Sequence, residues 1–416
     1  MFRSIALLLS LPVILSSCTI VGLHQHVETM EQRGNVTVKM VPPPDPKVPS
    51  YALAWRMENG QGKDSAGFQR VSPDGLASFS LRMDSSYRIG IFTDENGNGA
   101  YDAGEPFAVR NKVDTVSLAD PNARPEIREL HLSREHKFAA GTVMRVPKEN
   151  KDLGGKTNFA LGEVVSLDEP RFQEDAGSGG LWRPLDFLSG NTMGIYFTEP
   201  YDPNRIPVVF VYGIGGSPQD WRYFINHFDR KRYQLWFCHY PSGMRLNRVS
   251  LAFANGLRVL KQRYGFRECE VVAHSMGGLV AYSAITKAVD AEGRNFIPRF
   301  ISISTPWGGH KGAESGIRHL DKPVPSWIDV APESDFLQSI YSTPLPKGTI
   351  HDLIYGSIEE RSIRKKEKGD GVVTVASETD PRVMKRARSS KHFPLEHVEI
   401  LMQSGTVSYV ERLLDR

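Results

Sequence analysis

Residues Glu270-Val271-Val272-Ala273-His274-Ser275-Met276-Gly277-Gly278 read as a strand, a small-x-Ser-x-Gly turn and the start of a helix. A serine alcohol is a poor nucleophile and must be held exposed beside a base. A sharp strand-to-helix turn does this, and small residues two positions to either side allow the tight approach. Ala273 stands at the first small position, where glycine is usual. The x-Ser-x-Gly pattern alone is a weak signal. The β-branched run before it and the Gly-Gly-Leu-Val-Ala that follows make it a strong one, with a purely structural strand–helix turn as the alternative. Upstream, Pro207-Val208-Val209-Phe210-Val211-Tyr212-Gly213-Ile214-Gly215-Gly216 is an apolar strand ending in a glycine loop, able to present N–H groups to a developing oxyanion. Phosphate binding is another use of such a loop, but GxGxxG and the GK[ST] ending are missing.

Together these segments resemble an α/β-hydrolase of the bacterial lipase type, over residues 136–416. The resemblance implies a mostly parallel sheet with helices on both faces. It also implies the backbone N–H groups of Ile214 and Met276 as the oxyanion hole, and a chain order of nucleophile, acid, histidine. The family usually has His-Gly where this chain has Tyr212-Gly213, which leaves the backbone hole intact and the tyrosine side chain without a role. The implied acid is Asp370, in Lys368-Gly369-Asp370-Gly371-Val372-Val373, which resembles the lipase Asp-Gly-x-Val segment. Asp352 is its alternative but falls inside a strand, and Asp329 and Asp335 come early. Two histidines follow Asp370. His397 opens the last helical stretch, where the family places its base, whereas His392 falls in a solvated loop, Ser389–His392. His274 reads as a packing or supporting residue.

The implied chemistry is cleavage of a lipid-type carboxylic ester by Ser275, His397 and Asp370 through an acyl-enzyme, with no catalytic cofactor. An acyltransferase using the same residues, and a non-catalytic envelope scaffold, stay open as alternatives.

These residues need rigid elements. From Met193 onward, continuous apolar strands alternate with amphipathic helical stretches, the pattern of a parallel sheet covered on both faces. Strands are expected at Pro207–Tyr212, Tyr233–His239, Glu270–Ala273, Arg299–Ser304 and Ile350–Tyr355. Helices are expected at Gln219–His227, Val249–Tyr264, Met276–Val289 and His397–Leu414. The apolar insertion 305–348, with Trp307, Trp327, Phe336 and Tyr341, is either a lid or a helical layer completing the core. The basic stretches Arg361–Lys368 and Arg382–Lys391 read as solvated loops, with anionic lipid headgroups as the alternative contact.

Residues 36–135 show short alternating runs between turn clusters, which suggests a small all-β sandwich. Within it, Asp94-Glu95-Asn96-Gly97-Asn98-Gly99-Ala100-Tyr101-Asp102-Ala103-Gly104-Glu105 follows the twelve-residue calcium loop. Oxygen ligands fall on Asp94, Asn96, Asn98, Asp102 and Glu105, with the Ala100 carbonyl between them. Strand-like flanks make it resemble the calcium-loaded hairpins of bacterial β-sandwich surface domains, with a metal-free Asx/Gly hairpin as the alternative. A structural Ca²⁺ is expected. Residues 136–190 lead into the second domain and include a strand-like Phe159–Val165 and a flexible Gly177-Ser178-Gly179-Gly180.

Lys and Arg number 51 against 48 Asp and Glu, so no charge excess points to nucleic acid. The three cysteines, Cys18, Cys238 and Cys269, exclude a disulfide-built scaffold and offer no CxxC. Residues 1–17 combine Arg3 with a short apolar run, too short to span a bilayer, and read as a leader, a lipoprotein signal peptide. Leu15-Ser16-Ser17-Cys18 resembles the lipobox of bacterial lipoproteins. That resemblance implies a lipidated Cys18, a tether over 18–35 and a place in the bacterial envelope, at the outer membrane if the host is Gram-negative. In the family's sheet order a strand separates those carrying Cys238 and Cys269. Two strand spacings, about 9–10 Å, exceed disulfide reach, so both thiols are expected free and buried.

Overall fold

The computed structural model describes residues 33–45, 47–59, 61–71, 75–82, 85–109, 114–115, 127–135, 160–190, 193–290, 293–320, 323–358 and 368–415. The leader, Cys18, most of the tether, the lead-in over 136–159 and basic residues 361–367 lie outside the described residues. Two compact units divide at Asn158 and Phe159.

The first unit is built from β1 (Arg33–Val41), β2 (Ser50–Glu58), β3 (Gln61–Arg70), β4 (Leu76–Arg82), β5 (Ser86–Thr93), β6 (Phe107–Val109), β7 (Asp114–Thr115) and β8 (Ile127–His131). One sheet runs β4-β1-β8 and the other β3-β2-β5-β6, with β7 beside β5. Alternate residues share one core: Val36, Val38 and Met40 of β1 and Ala77, Phe79 and Leu81 of β4 meet Ala52, Ala54, Ile89 and Ile91 of the second sheet. Two sheets facing each other across period-2 apolar rows make a sandwich. Leu53, Trp55, Phe92 and Phe107 form a separate cluster.

The second unit carries an eight-stranded sheet of β9 (Ala160–Val164), β10 (Gly194–Phe197), β11 (Ile206–Val211), β12 (Tyr233–His239), β13 (Glu270–His274), β14 (Arg299–Ile303), β15 (Ile350–Gly356) and β16 (Ser389–Phe393). Its order is β16-β15-β14-β13-β11-β12-β10-β9, parallel except where β10 runs against β12. Strands β12 and β13 are buried along their whole length, which explains their apolar runs. The helices are α1 (Glu174–Trp182), α2 (Pro184–Gly190), α3 (Arg222–His227), α4 (Leu246–Tyr264), α5 (Met276–Ile285), α6 (Lys311–His319), α7 (Pro325–Val330), α8 (Asp335–Ser342), α9 (Val375–Glu378), α10 (Pro381–Met384) and α11 (Ser404–Leu414). Helix α4 buries Leu246, Val249, Phe253, Leu257 and Leu260, one stripe at spacings of three and four, and stops at Gly265 with φ 65°. This strand order, with a Ser-bearing turn from β13 into α5, is the α/β-hydrolase fold.

Several expectations need correction. Gly177-Ser178-Gly179-Gly180 lies inside α1. A Cβ on Gly177 would stand 2.5 Å from the Gly216 carbonyl oxygen, so close packing, rather than chain freedom, accounts for that glycine. Ser389–His392 is no loop. It pairs with β15 as the edge strand β16, and its polar residues suit a margin where side chains meet water. The final helix starts at Ser404, because Gln403 is extended and ends a short 3-10 turn at Glu399–Met402, leaving His397 in the loop before it. The insertion 305–348 contributes Trp307, Phe336, Leu337 and Ile340 to the main core, as a helical layer would.

Candidate active site

At the end of β13 the chain turns on Ser275, whose φ of 54° and ψ of −133° are strained for a residue with a Cβ. The Ser275 N–H donates to the Ile303 carbonyl at 2.8 Å, the last rung of the ladder to β14. Helix α5 then rises between two loops at very short range. A Cβ on Gly277 would stand 2.2 Å from the Tyr212 carbonyl oxygen, and one on Gly278 would stand 2.0 Å from Thr305 Oγ1. The paired glycines are therefore demanded by the fold.

The structure brings Ser275, His397 and Asp370 together, each buried. Ser275 Oγ lies 2.9 Å from His397 Nε2, and His397 Nδ1 lies 2.5 Å from Asp370 Oδ2. The other carboxylate oxygen, Oδ1, accepts the N–H groups of Val372 at 3.0 Å and Val373 at 2.7 Å. The His397 N–H donates to the Asp370 carbonyl at 2.9 Å, so the two residues are also joined through the backbone. Burial alone would raise the Asp370 carboxyl; the His397 ring and the amides outweigh it and hold the group below its ordinary range. His274 Nε2 lies 2.8 Å from the His397 carbonyl oxygen. A carbonyl only accepts, so Nε2 carries the hydrogen. Burial, aided by His397, keeps His274 neutral, lowered to about 3.

The glycine loop after β11 lies on Ser275. Strands β11 and β13 are neighbours with Val211 opposite Ala273, and a Cβ on Gly213 would stand 2.8 Å from the Ser275 Cβ. The Ile214 N–H belongs to this loop. The Met276 N–H opens α5, where no intrahelical carbonyl can take it. The loop is clamped: the Gly215 N–H donates to Ser242 Oγ at 2.9 Å, and Ser217 and Asp220 form a capping box behind it. Tyr212 is wholly buried and stacks on Tyr240 with ring centroids 4.6 Å apart.

The rival residues have other partners. Asp352 pairs with Arg388 and accepts Ser389 Oγ–H at 2.5 Å. Asp329 holds Arg245 and accepts the Leu246 N–H at 2.6 Å. Asp335 sits in the first turn of α8. His392 is exposed and bonds Ser357 Oγ at 2.6 Å. In the basic stretch Arg382–Lys391, Arg382 bridges Asp380 and Glu333, and Arg386 reaches the Tyr282 hydroxyl, so these cations serve the fold. Cys238 and Cys269 are free and buried, with β11 between β12 and β13. Sequence reasoning missed Tyr240, Ser242, Asp220 and Glu378. None has a local pattern; each matters through a partner distant in the chain or through burial.

In the first unit, Asp94 and Glu105 are buried. Asp94 accepts the N–H groups of Asn98 and Gly99, and Glu105 those of Glu95 and Asp102. Asp102 Oδ2 accepts the side-chain amides of Asn96 and Asn98, both at 2.6 Å. The donor set is all oxygen, which fits a hard cation. Among the described residues, however, no three His, Cys, Asp or Glu side chains are gathered as one ligand group.

No family model matches the chain, and no curated protein does. Solved structures that align with it include the mature form of Bacillus licheniformis lipase BlEst2, at 19% identity and TM-score 0.44, covering 53% of this chain and 97% of that one. Aspergillus fumigatus lipase B aligns at 13% identity and TM-score 0.38, over 53% of this chain and 56% of that one. Phospholipase PlaB from Legionella pneumophila aligns at 16% and 0.34, over 41% and 45%. The strand order and the turn at Ser275 are what mark the fold of this chain.

Proposed function

We propose that the chain is a serine hydrolase of carboxylic esters of the lipid type, acting through an acyl-enzyme. The hydrogen-bonded line Ser275–His397–Asp370 at the strained turn carries this reading. His397 Nε2 takes the Ser275 proton as Oγ attacks the ester carbonyl, and Asp370 fixes the ring tautomer and stabilises its positive charge. The carbonyl oxygen becomes an oxyanion held by the Ile214 and Met276 N–H groups. The alcohol leaves with the proton from His397, and water repeats the sequence to free the acid. The test is a fluorophosphonate probe and an ester chain-length series on folded protein. Wild type should label and turn over, and Ser275→Ala should do neither; absence of labelling in folded wild type refutes the reading. An added alcohol acceptor identifies an acyltransferase by its ester product.

Two further roles complete the proposal. Cys18, after Leu15-Ser16-Ser17, carries acyl groups that anchor the chain in a bacterial envelope, at the outer membrane in a Gram-negative host. Incorporation of labelled palmitate by the wild type but not by Cys18→Ala tests it. The Asp94–Glu105 loop takes a structural Ca²⁺ through Asp94, Asn96, Asn98, the Ala100 carbonyl, Asp102 and Glu105, with Asp102 exchanging its two asparagine amides for the ion.

A further inference from the structure

Glu378 ends the short helix α9 and is buried, only 1% exposed. Its Oε1 accepts the Gly356 N–H at 3.2 Å. Gly356 itself adjoins the acid: a Cβ there would stand 3.0 Å from the Asp370 Cβ and 3.5 Å from Ser304 Oγ. Among the described residues the second oxygen, Oε2, has no hydrogen-bond partner, nor does the buried Ser304 hydroxyl; the polar neighbours of the Glu378 carboxyl among them are Ser304 and Asp370. Ser304 is held there by a φ of 49° at the end of β14.

Two buried carboxyls beside the same glycine oppose each other's charge, so one of them holds its proton near neutral pH. Asp370 has the stronger hold on the charge, because it faces the His397 ring and two amide donors. Glu378 has one long amide contact and an orphaned oxygen, and a proton on it supplies the donor that this pair lacks.

We propose that Glu378 is a positioning residue whose neutral carboxyl donates to the Asp370 carboxylate and holds it turned towards His397. This rests on the reading of Ser275, His397 and Asp370 as an ester-cleaving set. Burial first, and then the charge of Asp370, push Glu378 up to about 10, in keeping with that proton. The charged group facing Glu378 is Asp370; Gly356 and Ser304 offer it only an N–H and a hydroxyl.

Two variants of the full chain test the proposal, assayed with a p-nitrophenyl ester between pH 5 and 9. Glu378→Gln is neutral, similar in shape and still a donor. It should keep kcat within about threefold and leave the acid limb of kcat/KM where it lies in the wild type. Glu378→Met fills the space without a donor, and should lower kcat by about tenfold or more with KM little changed. An acid limb displaced downward by about half a unit or more in Glu378→Gln would mean that a negative charge had been removed, and overturns the proposal. Wild-type kcat in folded Glu378→Met overturns it as well. If Glu378→Met does not fold, the pH profile of Glu378→Gln decides alone. If the wild type neither turns over esters nor labels with fluorophosphonate, the parent reading fails. The low-field proton resonance of His397 Nδ1–H then tests Glu378 separately: it should persist in Glu378→Gln and shift or vanish in Glu378→Met, and an unchanged resonance in Glu378→Met overturns the proposal.

Discussion

Tyr240 and Tyr212 are joined three times: the Tyr240 hydroxyl donates to the Tyr212 carbonyl at 2.6 Å, the Tyr240 N–H donates to the Tyr212 hydroxyl at 2.7 Å, and that hydroxyl donates to the Tyr240 carbonyl at 2.5 Å. The first bond ties the start of the glycine loop to the end of β12. Tyr240→Phe keeps the stacked ring and leaves a buried carbonyl without its donor. The expected cost is about 1–3 kcal/mol of stability, with a fall in kcat of about tenfold as the loop loosens. Thermal unfolding and ester kinetics measure the two effects, and unchanged kcat would separate this clamp from the oxyanion hole.

Gly213 gives a sharper test of the same loop. Gly213→Ala places a methyl 2.8 Å from the Ser275 Cβ and 3.2 Å from its Oγ, so either the loop or the nucleophile must move. A shift of about 1 Å in reacting groups costs about a hundredfold in rate. The chain should remain folded, with overpacking costing about 1–3 kcal/mol, while ester turnover and fluorophosphonate labelling fall together. Labelling at the wild-type rate would contradict the placement of this loop on Ser275.

Stability should have a plateau in mildly acid solution. Burial keeps His239, His274 and His351 neutral, each lowered to about 3. Burial also raises Asp220, Glu270 and Glu378, to about 7, 8 and 10. Below about pH 6.5 the unfolded chain binds protons that the native histidines refuse, so their contribution falls as pH drops. Above about pH 4.3 the unfolded carboxyls release protons that the native ones keep, so theirs falls as pH rises. Between these limits the two sets offset one another. Denaturant midpoints should therefore be nearly flat from about pH 4.5 to 6.5 and decline on both sides, by about 1.4 kcal/mol per pH unit for each uncompensated group. His351→Gln should soften the acid side. A midpoint still rising between about pH 7 and 8.5 would contradict the assignment.

Calcium should act on the first unit alone. Titration calorimetry of the full chain should show uptake at millimolar calcium or below, with an upward shift in one unfolding transition. Glu105→Gln should weaken uptake and leave ester turnover unchanged. No uptake by the wild type would leave Asp94–Glu105 as a hairpin closed by its own hydrogen bonds.

The parts of this arrangement legible in the sequence are the local ones. The strand and turn around Ser275 follow from a β-branched run meeting small residues within a few positions. The covered strands β12 and β13 show as apolar runs, Leu235–Cys238 and Val271–Ala273, because both of their faces are buried. Glu378 escapes such reading: it lies among polar residues, and only the tertiary fold places it against Gly356 and Asp370. Gly177 escapes it for the opposite reason, since a glycine-rich run signals freedom until a neighbouring loop is known to touch it. The polar strand β16 carries no alternation because it lies at the sheet edge with most side chains exposed.

That edge has a kinetic meaning. Ser275 follows β13, deep within the sheet, whereas His397 follows β16, a strand at one edge. Outer strands open at lower free energy than inner ones. Gentle heating should thus separate His397 from Ser275 while the inner strands still resist hydrogen exchange. Inactivation would then be a local, reversible event that precedes the loss of the fold.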